Sequence, residues 1–284
     1  FMPHQKRVAA IHDISCFGKC SLTVALPVIS AMGAEVSAIP TAVLSTHTGG
    51  FTGYTFRDLT DDILPIVRHW QGLSLSFDAI YTGYLGSFRQ IDIVLEAFDA
   101  LKGEGTLIAV DPVMADNGRL YAHFPQDFPV GMRKLCAKAD LIVPNLTEAA
   151  LLLDEPYRDG PQDPKEIEAL MRRLSALGPG RVVLTGVSFG EDALGAAYYD
   201  AAAGTSGAHL GPRIEGYYHG TGDLFASVLV GALVAGRSLS DAVGLSVDFT
   251  AASIRRTADA GTDKRFGVNF EAGLPGLGAE MGAT

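Results

Sequence analysis

Short runs of apolar and β-branched residues alternate along most of the chain with longer stretches in which apolar positions recur at helical spacing. This alternation predicts an α/β fold of three layers, α/β/α, with a mostly parallel central sheet flanked by helices. Strands are expected at 8–14, 35–43, 79–82, 107–110, 141–143 and 181–184, and helices at 21–31, 59–70, 90–101 and 165–177. Beyond residue 190 the pattern changes. Segments 193–200 and 209–218, separated by small residues, read as an antiparallel hairpin at one edge of the sheet. Two helices follow, at 221–235 and 240–258, and the Gly- and Ala-rich tail after Gly273 is expected to be loose.

Composition narrows this picture. A chain of 284 residues, 48% hydrophobic, can bury a large core, and no repeat or linker divides it, so a single domain over 1–284 is expected. The net charge of -10 and the lack of a basic block argue against nucleic acid as a partner. An anionic substrate would therefore need local help, from helix ends or a metal. The longest apolar stretch, 224–235, is too short to span a bilayer and contains Ser227 and Gly231, so it reads as a buried helix and no membrane partner is expected. The three cysteines, Cys16, Cys20 and Cys136, are an odd number in a chain that needs no staples, and no leader pattern is recognised, which together point to a cytoplasmic setting. Cys16 and Cys20 have no second cluster that would complete a zinc site. Phe1, ahead of Met2, reads as a remnant foreign to the fold.

The chemistry concentrates where strands end and helices begin. Gly220 and Gly222 let the backbone bend close to a ligand at the start of a long apolar helix, whose first turn leaves N–H groups unpaired. Such a nest suits a phosphate or an oxyanion. Asp223 competes with a bound phosphate unless it has another task, and removing a proton from an attacking hydroxyl is such a task. The competing reading is that Thr221 or Asp223 merely caps the helix.

In an open parallel sheet, ligands bind beyond the carboxyl ends of the strands, and the exits here are polar: Asp13, Asp111, Asn145 with Glu148, and Thr185. Asp111, Asn145 and Glu148 suit Mg²⁺ held partly through waters, though Asn145 and Glu148 also have the spacing of a capping pair. Loop 44–54 offers Ser45, Thr46, His47 and Thr48 as hydrogen-bonding groups, with Phe51 or Tyr54 to cover a small ring; a polar surface loop is the alternative. Tyr84 follows another strand exit and faces the same crevice. Segment 114–124 is a candidate flap: Asp116, Asn117 and Gly118 make its turn, and Tyr121 with Phe124 would close over a nucleotide to exclude water.

Taken together, Gly220-Thr221-Gly222-Asp223, the Asp-Pro-Val-Met from Asp111, the Pro-Asn-Leu-Thr-Glu ending at Glu148 and the Thr-Gly-Tyr-Leu-Gly-Ser from Thr82 resemble the ribokinase-like superfamily. The segments around Asp13 and His47 are similar to its pyridoxal and pyridoxamine kinase branch. The resemblance implies ATP-dependent phosphorylation of the 5'-hydroxymethyl group of a B6 vitamer, with ATP and Mg²⁺, a nearby monovalent cation such as K⁺, and a homodimer. By the same resemblance, Asp223 would be the base and Gly220, Thr221 and Gly222 the anion hole. Asp111, Asn145, Glu148 and Thr185 would lie on the ATP side, with Asp111 and Glu148 toward the metal, and Asp13, His47, Thr48 and Tyr84 would line the vitamer pocket. Asp13 departs from the serine common in that branch, which bears on vitamer preference.

The alternatives are a hydroxymethylpyrimidine kinase of thiamine synthesis, whose members usually carry Cys in place of Asp223, a sugar kinase, and a non-catalytic B6-binding protein of the same fold. A dinucleotide-dependent oxidoreductase would need a Gly-x-Gly-x-x-Gly after the first strand, which the chain lacks there.

Overall fold

A computed structural model describes residues 5–282, so Phe1 lies outside the described residues. The chain forms β1 (Arg7–Ser15), α1 (Leu22–Ala31), β2 (Glu35–Leu44), β3 (Phe56–Asp58), α2 (Thr60–Gly72), β4 (Ala79–Thr82), α3 (Phe88–Leu101) and β5 (Leu107–Val110). A small hairpin, β6 (Ala115–Asp116) and β7 (Arg119–Leu120), leads to α4 (Phe128–Cys136), β8 (Leu141–Ile142), α5 (Leu146–Leu153), α6 (Pro164–Ser175) and β9 (Arg181–Val187). The last part contains β10 (Ala193–Asp200), β11 (Thr205–Pro212), α7 (Thr221–Val234), α8 (Leu239–Asp259) and α9 (Leu274–Glu280).

Among the described residues, nine strands make one sheet in the order β11-β10-β9-β8-β5-β4-β1-β2-β3. The six strands from β2 to β9 across its middle are mutually parallel; β3 and β10 run against them at the two sides, and the outermost strand β11 is antiparallel to β10. Inner strands are buried on both faces, which is why β4 and β5 read as continuous apolar runs rather than alternating ones. Ile63, Ile91, Phe98 and Phe128 pack against one face of the sheet, and Val28, Leu229, Val243 and Leu277 against the other. Helix α7 is apolar nearly all round and lies in the second layer, where Gly231 lets it approach α1: a Cβ there would meet Met32 Sδ at 2.5 Å.

Four elements differ from expectation. Strand β3 is three exposed residues at an edge, too short to carry a period. Helix α4 was hidden by Pro129 and Gly131, although Phe128, Met132 and Leu135 already mark its buried stripe. Strand β11 starts at Thr205 rather than 209, because Gly207 pairs with Tyr198 and leaves room for its ring; a Cβ would meet the Tyr198 hydroxyl at 2.6 Å. The tail is not loose: α9 seats Leu277, 3% exposed, and Gly278 against α1. Leu277→Ala is expected to lower unfolding free energy by about 2 to 5 kcal/mol, read from the urea midpoint, whereas a loose tail would leave the midpoint unchanged.

Candidate active site

Strands β1 and β4 are neighbours, yet the chain leaves β1 into α1 on one face and β4 into α3 on the other. Diverging connections open a crevice at the carboxyl ends of the strands. A cavity of about 780 Å³ lies there, lined by Asp13, Asp111, Asn145, Glu148, Thr185 and Asp223 among others. The remaining residues predicted from sequence, His47, Thr48, Tyr84, Gly220, Thr221 and Gly222, line the same space.

The start of α7 is open. Its N-cap is Gly220, at φ 74°, and no side chain caps the helix. Thr221 donates its hydroxyl to the Tyr218 carbonyl, 3.1 Å away, instead of capping. The first intrahelical bond is from Leu224 N–H to the Gly220 carbonyl, so the N–H groups ahead of it remain for a ligand. The two glycines serve different ends. Gly220 packs so tightly that a Cβ would sit 2.0 Å from the Lys19 carbonyl, while Gly222 faces open space that any side chain would begin to fill.

At the other helix start, Asn145 and Glu148 form a complete capping box. Asn145 Oδ1 accepts from Glu148 N–H at 2.9 Å, and Glu148 Oε2 accepts from Asn145 N–H at 2.9 Å. The same residues hold the β6–β7 hairpin: Met114 N–H donates to Glu148 Oε1 at 3.1 Å, and Asn145 Nδ2 donates to the Ala115 carbonyl at 2.8 Å. Gly118 N–H adds a bond to Thr147 Oγ1 at 2.9 Å. Glu148 is thus structural whatever else it does. Asp111, 7% exposed, makes no side-chain hydrogen bond among the described residues. Burial, Glu148 and Asp223 push its carboxyl well above the usual range, which marks it as a carboxylate in need of a counter-charge.

The opposite end of the cavity is built on Asp13, whose Oδ1 accepts from Ser21 Oγ at 2.6 Å and Oδ2 from Ser15 Oγ at 3.4 Å. His47 is held by backbone on both sides: Gly49 N–H donates to Nδ1 at 3.1 Å, and Nε2 lies 2.6 Å from the Arg265 carbonyl. An N–H must donate to Nδ1 and a carbonyl must accept from Nε2, so the ring is the neutral Nε2–H tautomer. It pins loop 45–55 and presents its face, not a free nitrogen, to the cavity. The Tyr84 hydroxyl is 2.9 Å from His123 Nε2, and Thr48 is exposed at the rim.

The sequence reading missed Ser21, His123, Tyr217 and His219, all of which line the cavity. Ser21 lies between strand and helix, where the only signal was its place before an apolar run. Its φ of 51° is left-handed, uncommon for a non-glycine residue, and holds its hydroxyl on Asp13. Phe124 corrects the flap reading, since it stacks on Phe128 at 3.9 Å and belongs to the core rather than to a lid. Tyr121 does reach the cavity, as expected. Cys20 also lines it, but burial and the nearby Asp223 and Asp13 push its thiol up, so it stays protonated; all three cysteines are free.

Asp223 is half-buried and opens onto the cavity. Burial pushes its carboxyl up to about 7, opposed by the Ser21 backbone and reinforced by Asp13. A base of that strength is well matched to neutral pH.

An open parallel sheet with an uncapped helix start beside a half-buried carboxylate is the arrangement expected of a ribokinase-like kinase, and the comparisons with known proteins agree. A family profile described as phosphomethylpyrimidine kinase matches residues 26–268, and the chain belongs to that family. A Bacteroides thetaiotaomicron protein described as a phosphomethylpyrimidine kinase and crystallised with pyridoxal is 41% identical, with a TM-score of 0.91 and 96% of each chain covered. Pyridoxal kinase from Lactobacillus plantarum is 34% identical, with a TM-score of 0.88 and 97% of each chain covered. Pyridoxal kinase from Arabidopsis thaliana is 28% identical over 89% of this chain and 82% of its own length. No described helix is long and apolar enough to cross a membrane.

The raised pKa of Asp223 has a stability consequence. The unfolded chain ionises Asp223 near 3.8 and the folded chain near 7, so ionisation opposes folding increasingly across that interval and fully above it. Asp223→Asn should therefore melt at the same temperature as the parent near pH 4 and at a higher one at pH 8. Equal melting temperatures at pH 8 would show that the carboxylate is not desolvated.

Proposed function

We propose that the protein transfers the γ-phosphoryl group of ATP to the 5'-hydroxymethyl group of a B6 vitamer. The observation that carries this reading is the uncapped α7 start with Asp223 beside it, in one cavity with Asp111. In-line phosphoryl transfer asks a protein mainly to position groups and stabilise charge. Asp223 takes the alcohol proton as the oxygen attacks, and the free N–H groups at Thr221 to Asp223 meet charge on the transferring phosphoryl oxygens. Asn145, the N-cap of α5, and Thr185, within β9 and bridged to Asn145, would lie on the nucleotide side.

Asp111 fits Mg²⁺, because its buried carboxylate has no other partner, and Glu148 adds negative charge behind it. Among the described residues, no group of three or more His, Cys, Asp or Glu is gathered to hold a metal alone, as expected for an ion that keeps waters and phosphate oxygens. Such an ion, when bound, offsets phosphate charge.

The reading of the acceptor as a B6 vitamer draws on the pyridoxal found with a relative 41% identical and on the relatives that are pyridoxal kinases. The family description names a phosphomethylpyrimidine as acceptor, which makes its unphosphorylated form, hydroxymethylpyrimidine, the second acceptor to test. ATP consumption measured with pyridoxal, pyridoxine, pyridoxamine and hydroxymethylpyrimidine separates the two, and higher kcat/KM for the pyrimidine than for every vitamer would reverse the assignment. Asp223→Asn should keep its affinity for ATP and lose turnover by about 10² to 10⁴. In the wild type, kcat/KM should rise with pH through about 7, as the free enzyme's base loses its proton. Near-normal turnover in Asp223→Asn would remove this residue from the chemistry.

A further inference from the structure

We propose that Asp13 makes the acceptor end of the cavity a reader of positive charge, so that a pyridine-type alcohol carrying a protonated ring nitrogen or an ammonium arm is preferred to a neutral ring of the same size. The proposal rests on the kinase reading above and specifies the acceptor that site takes.

Asp13 is 5% exposed and turned into the cavity. Its protein partners are two serine hydroxyls, Ser21 and Ser15, which donate hydrogen bonds but carry no charge. Among the described residues lining the cavity there is no Lys or Arg. The titratable side chains that share it are Cys20, Asp111, Asp116, Glu148, Asp223, the histidines His47, His123 and His219, and tyrosines including Tyr54 and Tyr84. His47 meets backbone groups with both ring nitrogens, the Gly49 N–H and the Arg265 carbonyl, and so makes no hydrogen bond to Asp13. A cation at Asp111 serves the phosphate end and leaves Asp13 uncompensated.

Burial pushes the Asp13 carboxyl above its usual range, against the two serine hydrogen bonds, and a cation brought by the ligand would favour the ionised form and pair with it. The backbone supports the same assignment. Ser21 holds a left-handed conformation that puts its hydroxyl 2.6 Å from Asp13, and its backbone faces Asp223. The residue that reads the acceptor and the residue that deprotonates it are thus fixed to one another through Ser21. Strain kept at such a point is a mark of a functional constraint.

Calorimetric binding without nucleotide tests this, using pyridoxamine, pyridoxine and hydroxymethylpyrimidine at pH 8, where the pyrimidine is neutral. Asp13→Asn and Asp13→Ser should each weaken pyridoxamine by at least about tenfold more than the pyrimidine. Equal loss for pyridoxine and pyridoxamine would assign the ring nitrogen, and loss confined to pyridoxamine the ammonium; either supports the proposal. The same factor for all three ligands, or no change, overturns it. Wild-type protein supplies a control that needs no variant: 3-hydroxybenzyl alcohol, which has no nitrogen, should bind at least about tenfold more weakly than pyridoxamine, and equal binding overturns the proposal. Absence of wild-type turnover with every vitamer would instead reject the kinase reading, and the binding comparison would still judge Asp13.

Discussion

A helix start without a cap, set beside buried carboxylates that have no cationic side chain, is an arrangement that stabilises only when something fills it. At α7 the N–H groups of the first turn point into the cavity, and Asp223, Asp111, Glu148 and Asp13 surround the same space. The helix end favours an anion, while the carboxylates favour a cation and repel one another. Under the proposed function, a phosphate accompanied by a metal ion would answer both demands at one end and a cationic acceptor the remaining one at the other. The empty protein therefore holds its charges at some cost, which the high folded-state pKa of Asp223 expresses directly.

Holding that arrangement is the work of the surrounding scaffold. Gly220 brings α7 against the Lys19 carbonyl, so the first turn of α7 and the segment before α1 form one unit. Ser21 then ties that unit to β1 through Asp13. On the nucleotide side, the Asn145–Glu148 box fixes α5 and the base of the β6–β7 hairpin with the same atoms. The catalytic space is enclosed by elements that would otherwise be independent, and each link is a hydrogen bond or a contact that tolerates little substitution.

Much of this was readable in the residue pattern, for physical reasons. Buried parallel strands must be apolar runs, so β1, β4 and β5 announced themselves, and polar residues at their exits had to be caps or ligands. Asp13, Asp111, Asn145, Glu148, Thr185 and Asp223 do converge on one cavity. What the pattern could not separate was capping from binding. Chemistry at the level of residue types is the same for both, and the answer depended on where each hydroxyl points: Thr221 turns away from its helix, leaving α7 open, while Asn145 and Glu148 close α5 fully. Ser21, His123 and Tyr217 were missed because their roles come from backbone conformation or long-range approach, which leave no periodic trace. Phe124 was misread because an aromatic in a long loop looks the same whether it covers a ligand or anchors the loop in the core.

The capping box also constrains how the hairpin can contribute to closing the site. Both carboxylate oxygens of Glu148 are engaged with backbone N–H groups, one in α5's own cap and one at Met114. Phe124, at the far end of the segment, is packed on Phe128. With both ends fixed, the whole segment cannot swing as a lid. The freedom left to it lies between them, around Asn117 and Gly118 at the turn, both at positive φ, and in Tyr121 facing the cavity. The Tyr217 hydroxyl faces Asp116 beside that turn, so the hairpin and the segment ahead of α7 approach each other on the wall of the same cavity.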